Sequence, residues 1–531
     1  MNAGHQVAGV GPQANHDQVV AYQVHRPTQR GILSLATETL YKISSYLTVT
    51  EYGNVRLTCR DLESRLFDDF AKEFFGARQF RITEDCLRTL TNISRSRLNV
   101  YVTELIISVA NPGLEYRDSF TAVPPHLYAH KHLNHWPLVV TDRGFQLLTV
   151  ALHGLPNVQA IGIRDFSFVG RYRYKGSPPW YSSMAKRFII VPSTLPPEPE
   201  IERRTLTDYC NLENCLGGHP IYTYHLFLMI LRVMGSIARV HRLPTRLEMI
   251  FKWGYMPCEY LTIPHGIQLQ ASHFLGKLKV LFLQFTPVTD LSFVTPPGGG
   301  ISPCSTLPLM RLLSQTPSLQ HLRLDFTSYD LLNADGPGQT LRWLAGETQE
   351  RFSTGSSSLL VYPPLPPAPT FQHLERFDFG YGIVRPSDLL NFYLKYKSTL
   401  REISLHAASL VTQQPELKED VSEWAKFIDQ LADLEELGLQ IKTINLSKLT
   451  ERYYMETRDD NGWFKTYFRH PGALWGAPSQ KLYIMTWTGA SLKLAQRDLK
   501  PWIFVNLDDD LHYERPGRSS SPAGLVNNQW A

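Results

Sequence analysis

Residues 309–324, Leu309-Met310-Arg311-Leu312-Leu313-Ser314-Gln315-Thr316-Pro317-Ser318-Leu319-Gln320-His321-Leu322-Arg323-Leu324, decide how most of the chain is read. Leu309 to Leu313 form a short apolar helical segment, and Thr316-Pro317-Ser318 is a polar break whose proline cannot continue a helix. Leu319, Leu322 and Leu324 then alternate with polar residues as in a short strand. A helix, a tight turn and a strand of this size cannot bury their apolar faces alone and must stack on neighbours of the same kind. The spacing L-x-x-L-x-L recurs at Val102/Leu105/Ile107, Val158/Ile161/Ile163, Leu278/Leu281/Leu283, Leu374/Phe377/Phe379, Leu400/Ile403/Leu405 and Leu434/Leu437/Leu439. The same helix-and-break context precedes two other copies: Phe145 to His153 before Leu155-Pro156-Asn157, and Leu389 to Tyr396 before Lys397-Ser398-Thr399.

The copies are unevenly spaced. Between them lie Val191 to Glu200 with its four prolines, Pro296-Pro297-Gly298-Gly299-Gly300, and the proline-rich Val361 to Pro369, all of which read as exposed loops. This pattern predicts an irregular leucine-rich-repeat-like solenoid over residues 76–450. Residues 451–510, rich in aromatics, are expected to cap it, and 511–531 to form a tail.

The 531 residues allow two or three domains, or one small domain and an elongated array. Hydrophobic content of 43% and charged content of 19% fit a folded protein with a sizeable core. A net charge of +4 is too small to argue for nucleic acid. The six cysteines, Cys59, Cys86, Cys210, Cys215, Cys258 and Cys304, contain no C-x-x-C pair and fit free thiols in a reducing compartment. Residues 1–30 have neither the basic start nor the apolar centre of a signal peptide and are expected to be a disordered tail. The most apolar run, Leu226 to Leu231, is too short to span a bilayer. A cytoplasmic or nuclear location, without membrane or nucleic-acid partners, is the expectation.

From Leu33 to Leu47, the residues Leu40, Ile43 and Leu47 recur at three- and four-residue steps, one apolar face of a helix. Thr48-Val49-Thr50-Glu51 has the form of a capping box and predicts a second helix start. Val55, Leu57, Leu62 and Leu66 carry the apolar pattern through a third segment around Thr58-Cys59-Arg60. Such a short piece buries too little surface to be stable alone, and it has no metal ligands, so its apolar face needs a partner. Periodicity does not choose between the rest of the chain and another protein.

The string Leu35-Ala36-Thr37-Glu38 with Leu40, Ile43 and Leu47, followed by Val55-Arg56-Leu57-Thr58-Cys59-Arg60-Asp61-Leu62, resembles the F-box motif. Residues 31–75 correspond to the motif, a three-helix unit. The resemblance implies docking to the Skp-type adaptor of a cullin-based (SCF) ubiquitin ligase. By position, Leu35, Leu40, Ile43, Leu47, Val55, Cys59 and Leu62 make that interface or support it. Ala36 stands where the family usually has proline, whose fixed backbone angle suits a helix start. Phe74-Phe75, Gln79-Phe80, Leu87, Leu90, Ile93-Ser94-Arg95-Ser96 and Tyr101 to Ile107 are similar to the region after the motif in a group of ascomycete F-box proteins. So are Leu155 to Val158, Gly162 to Phe166 and Arg171-Tyr172-Arg173. The expected fold class is therefore α plus α/β, a three-helix F-box followed by the solenoid. The implied function is a substrate adaptor that binds Skp and cullin partners through the F-box and an unidentified target protein through the array. A non-ubiquitin scaffold and a binding module with a decayed F-box remain as alternatives.

Residues able to carry chemistry are read against this. His126 and His130 share a helix face at a spacing seen in zinc sites, with His132 and His135 nearby, but no cysteine or carboxylate motif completes a ligand set. Cys210 and Cys215 read as incidental thiols, Cys59 as a buried inert one, and Asp508 to Asp510 as a solvated run. Arg171-Tyr172-Arg173-Tyr174-Lys175 interleaves cations and aromatics in a manner able to stack on RNA, but one such patch on a nearly neutral chain reads as a loop. Phosphate-loop, zinc-protease and hydrolase-elbow motifs are missing from the sequence. No catalytic residue, cofactor or metal is expected.

Overall fold

The protein is described here by a computed structural model over residues 31–109, 137–164, 218–238, 243–251, 256–285, 306–326, 335–347, 364–412, 423–447, 449–458, 464–469, 484–489, 491–497 and 499. The histidines at 126, 130, 132 and 135, Cys210, Cys215, the 171–175 segment and Asp508 to Asp510 lie outside these residues. The chain divides into two units after Phe70.

The N-terminal unit is built from α1 (Thr37–Ser44), α2 (Val49–Leu57) and the first part of α3 (Arg60–Phe75). The capping box at the start of α2 forms as its sequence predicts. Thr48 Oγ1 accepts from Glu51 N at 2.9 Å, and Glu51 Oε2 accepts from Thr48 N at 2.8 Å. The start of α1 has no side-chain cap. Arg65 on α3 holds it instead, donating to Leu33 O at 2.9 Å, to Leu35 O, and to Thr37 Oγ1 at 3.4 Å. Tyr52, fully buried, donates its hydroxyl to Leu66 O at 3.3 Å and Asp69 Oδ2 at 3.0 Å, and meets Phe70 edge-on. Leu40, Leu62, Leu66 and Phe67 complete this small core.

The second unit is organised by one ten-stranded sheet. Its strands, in chain order, are β1 (Ala77–Phe80), β2 (Glu104–Ser108), β3 (Ala160–Arg164), β4 (Arg246–Ile250), β5 (Val280–Phe285) and β6 (His321–Phe326). After them come β7 (Arg376–Gly380), β9 (Glu402–His406), β11 (Thr443–Ser447) and β14 (Ile484–Thr488). All neighbours pair in parallel except β14, which returns antiparallel to β11. A smaller sheet pairs β8 (Ile383–Val384), β10 (Ser409–Thr412), β12 (Thr450–Arg458) and β13 (Phe464–Arg469). The chain passes from β7 to β8 through Tyr381 (φ 56°), and from β9 to β10 through Ala407 (φ 48°).

Helices fill the crossovers: α4 (Glu84–Ser94), α5 (Asp142–His153), α6 (Gly218–Ile237), α7 (His265–Leu275), α8 (Leu307–Leu313), α9 (Asp335–Ala345), α10 (Pro386–Lys395) and α11 (Glu423–Asp433). Strand order follows chain order without reversal, and right-handed crossovers then place every helix on one face. Helix neighbours agree, running α4–α5–α6–α7 and α9–α10–α11. On that face two rows of side chains run across the sheet and enter the core. One is Leu105, Ile161, Leu247, Leu281, Leu322, Phe377, Ile403 and Ile444; the other is Ile107, Ile163, Met249, Leu283, Leu324, Phe379, Leu405 and Leu446. The period of two along each strand keeps the intervening residues off this face. At the strands' N-terminal ends one carbonyl per crossover accepts two successive N–H groups of the next strand. Gly76 O, Thr103 O, Gln159 O, Thr245 O, Lys279 O, Gln320 O, Glu375 O and Arg401 O form this line.

The expected fold class is overturned. Behind the three N-terminal helices the described residues form no leucine-rich-repeat-like solenoid but an α/β structure around one continuous, mostly parallel sheet. Six of the seven L-x-x-L-x-L copies lie at strands that bond edge to edge in this sheet, and it is extended by β1, β4, β11 and β14, which the spacing did not mark. At β4 the buried Leu243 is separated from Leu247 by an extra residue, and Pro244 occupies the expected leucine position. The seventh copy is not a strand. Leu434 to Leu439 turn away from α11 through Gly438 (φ 96°), Leu437 is exposed, and the strand follows at Thr443. Among the described residues no helix is long and apolar enough to cross a membrane.

Candidate interaction surfaces

Two surfaces stand out, one on each unit. In the N-terminal unit the residues expected to bind an adaptor separate into two groups. Leu40 and Leu62 are buried at 2% and 4% exposure and belong to the unit's own core. Leu35, Leu47 and Val55 are half-buried, while Ile43 is exposed. Cys59, expected to be a buried thiol, is exposed, because it sits where the chain turns from α2 into α3 rather than on an inward helix face. Helix α1 ends at Ser44, so Leu47 lies beyond it and does not continue the Leu40 face.

Two residues outside the expected adaptor-binding set, Tyr46 and Leu57, are the most open. Tyr46 is 80% exposed and Leu57 67%, with Ile43 and Ile32 also exposed. Four of the ten exposed large hydrophobics among the described residues thus fall in this one short unit. Single exposed apolar side chains are ordinary on soluble proteins, and it is their number within one short unit that makes this unit a candidate for interaction. The unit's interior is already filled, so these side chains are left over from its folding.

On the second unit the sheet face opposite the helices is polar and built in layers. Glu248 (1% side-chain exposure), Asp325 (4%) and Asp378 (11%) lie against the sheet, while Arg246 (42%), Arg323 (35%) and Arg376 (39%) lie outside them. Glu248 receives both Arg164 and Arg246. Arg323 Nε donates to Asp325 Oδ2 at 2.8 Å. Arg376 grips Asp378 with Nε at 2.9 Å and Nη2 at 3.3 Å, and reaches Glu402 at 3.3 Å. His321 Nε2 lies 2.9 Å from Asp378 Oδ2. Between Arg246 and His321 stands Phe282, under the Arg246 guanidinium at 5.0 Å and edge-on to the imidazole at 4.6 Å.

Burial pushes the Asp325 carboxyl above its ordinary value, and Arg323 only partly offsets it. Burial acts on Asp378 too, but hydrogen bonds from His321 and Arg376 outweigh it and hold that carboxyl below its ordinary value. Burial raises Glu104, which Arg164 reaches only at 3.5 Å. At the far end, His406 contacts Ser447 Oγ at 2.6 Å and Tyr381 Oη at 3.2 Å, joining the corners that lead to the small sheet.

None of these charged residues was singled out from the sequence. They occupy the positions between the periodic leucines, as in Arg246-Leu247-Glu248, His321-Leu322-Arg323-Leu324-Asp325 and Arg376-Phe377-Asp378. Alternating charges at those positions were the available signal. Among the described residues no group of three or more His, Cys, Asp or Glu is placed to hold a metal ion. No protein-family model and no curated protein sequence matches the chain.

Proposed function

We propose that this chain is a substrate adaptor: its N-terminal helical unit docks a Skp-type adaptor of a cullin-based ubiquitin ligase, and its sheet unit holds the protein to be modified. The observation that carries the reading is Ile43, Tyr46 and Leu57, left exposed on a unit whose core of Leu40, Tyr52, Leu62 and Leu66 is already closed. That unit coincides with the stretch, Leu35 to Leu62, that resembles the F-box motif. Large apolar and aromatic side chains of this kind dominate the energetics of protein interfaces. In this reading the ligase's other subunits supply the transfer chemistry, and the chain supplies binding and placement.

Co-expression with a fungal Skp adaptor followed by size-exclusion chromatography tests it. The proposal expects a one-to-one complex. A monodisperse chain that elutes apart from the adaptor contradicts it and favours a binding module without a ligase link.

A further inference from the structure

We infer that the polar sheet face across β4 to β7 recognises an acidic peptide segment; this rests on the reading above in assigning the sheet unit to target binding. Across these four strands the three carboxylates lie at 11% side-chain exposure or less, while all three guanidiniums are at 35% or more. Within β4 to β7 the face is close to neutral in total and its outer groups are cations; at its edge Arg376 also pairs with the exposed Glu402 of β9 at 3.3 Å. Asp325 and Asp378 each hold a guanidinium through two of its nitrogens, and Glu248 pairs with Arg246 through one. Arginines held this way are preorganised for a further carboxylate, because less side-chain freedom is lost on binding.

A guanidinium nitrogen remains for that contact on Arg323, whereas Arg376 already directs Nε and Nη2 to Asp378 and Nη1 to Glu402. Arg323 commits Nε and Nη2 to Asp325, and its Nη1 has no partner among the described residues. Arg246 sits over the Phe282 ring, its guanidinium carbon 5.0 Å from the centroid, a cation–aromatic pair of residue types found in interface hot spots.

The spacing sets the ligand's form. Arg246 and Arg376 share one row of the sheet, on β4 and β7, three strand intervals apart. At about 4.8 Å per interval they lie about 14 Å apart, the reach of four residues of extended chain. An extended segment crossing the strands with acidic residues at i and i+4 spans them. An apolar or aromatic residue at i+2 falls over Phe282 and His321.

The test uses the full chain and fluorescence anisotropy with the labelled peptide Gly-Glu-Gly-Phe-Gly-Glu-Gly. Comparators carry lysine for both glutamates, or are a twelve-nucleotide oligo-dT. The variant is Arg246→Gln/Arg376→Gln. Glu248 keeps Arg164 and Asp378 keeps His321, so neither acid is left without a partner. The acidic peptide should bind at least tenfold more tightly than the lysine peptide and the oligonucleotide, and lose at least tenfold in the variant. If circular dichroism shows the variant misfolded, Phe282→Ala takes its place, with at least a threefold loss expected. Equal or tighter binding of either comparator, or unchanged affinity in the folded variant, overturns the inference. Adaptor co-elution is scored on the same preparations. Peptide binding without adaptor binding leaves this inference standing and removes the ligase reading; the converse does the opposite.

Discussion

Ala36→Pro is expected to stabilise the N-terminal unit. Ala36 occupies φ −60° and ψ 150°, inside the range to which a pyrrolidine ring is locked. Leu35, at φ −69° and ψ 145°, is already in the extended region that a following proline demands. Arg65 fixes the Leu35 carbonyl independently. Proline therefore enters an existing conformation and chiefly narrows the unfolded ensemble, a gain of about 0.4–1 kcal/mol. The Leu40 amide, which donates to Ala36 O at 3.1 Å in the first turn of α1, reports this locally. Its native-state hydrogen exchange should slow by about two- to fivefold, the same free energy expressed as a population of open states. Unchanged or faster exchange at Leu40 would refute the reasoning, since it would mean that the α1 entry is not held at these angles.

Arg65→Ala removes a charged donor from two backbone carbonyls and should cost the N-terminal unit about 1.5–3 kcal/mol, read as a lower denaturant midpoint for that unit. Gly235→Ala on α6 places a Cβ 2.6 Å from Gln270 O on α7, forcing the helices apart; a loss of about 1–3 kcal/mol should appear in thermal denaturation. Asp378, held below its ordinary pKa, contributes stability that is present above the unfolded value of 3.8 and lost as pH falls through the lower folded value. Asp378→Asn should therefore flatten the acid limb of the stability profile. Asp325, raised by burial, has the opposite slope, gaining stability as pH falls through its folded value, and Asp325→Asn should steepen the same limb.

Sequence and structure part at identifiable residues. The capping box at Thr48 and Glu51 was legible because it depends only on neighbours three residues apart, and local hydrogen bonding decides it. The alternating Leu322 and Leu324, or Phe377 and Phe379, were legible as strands for the same reason. How those strands associate was not, because edge-to-edge pairing is non-local and the spacing between copies carries no information about it. Strands lacking the leucine step, such as β4 after Pro244, could not be found by that step at all. Leu40 and Ile43 look equivalent in a helical period, yet only Leu40 is buried, since α3 closes over one side of α1 through Arg65 and Tyr41. The layered charge face was hidden because its residues lie between the periodic apolar ones, and their pairing across strands up to 84 positions apart appears only once the sheet is assembled.

The most direct test of the adaptor reading is titration calorimetry of a purified fungal Skp adaptor into the wild-type chain and into Ile43→Asp/Leu57→Asp. Both positions are exposed, so the variant should keep its fold, with stability within about 0.5 kcal/mol per site. The account predicts one-to-one binding by the wild type and a loss of at least a hundredfold in the variant. Wild-type affinity retained by the folded variant, or no heat of binding with the wild type, would contradict it.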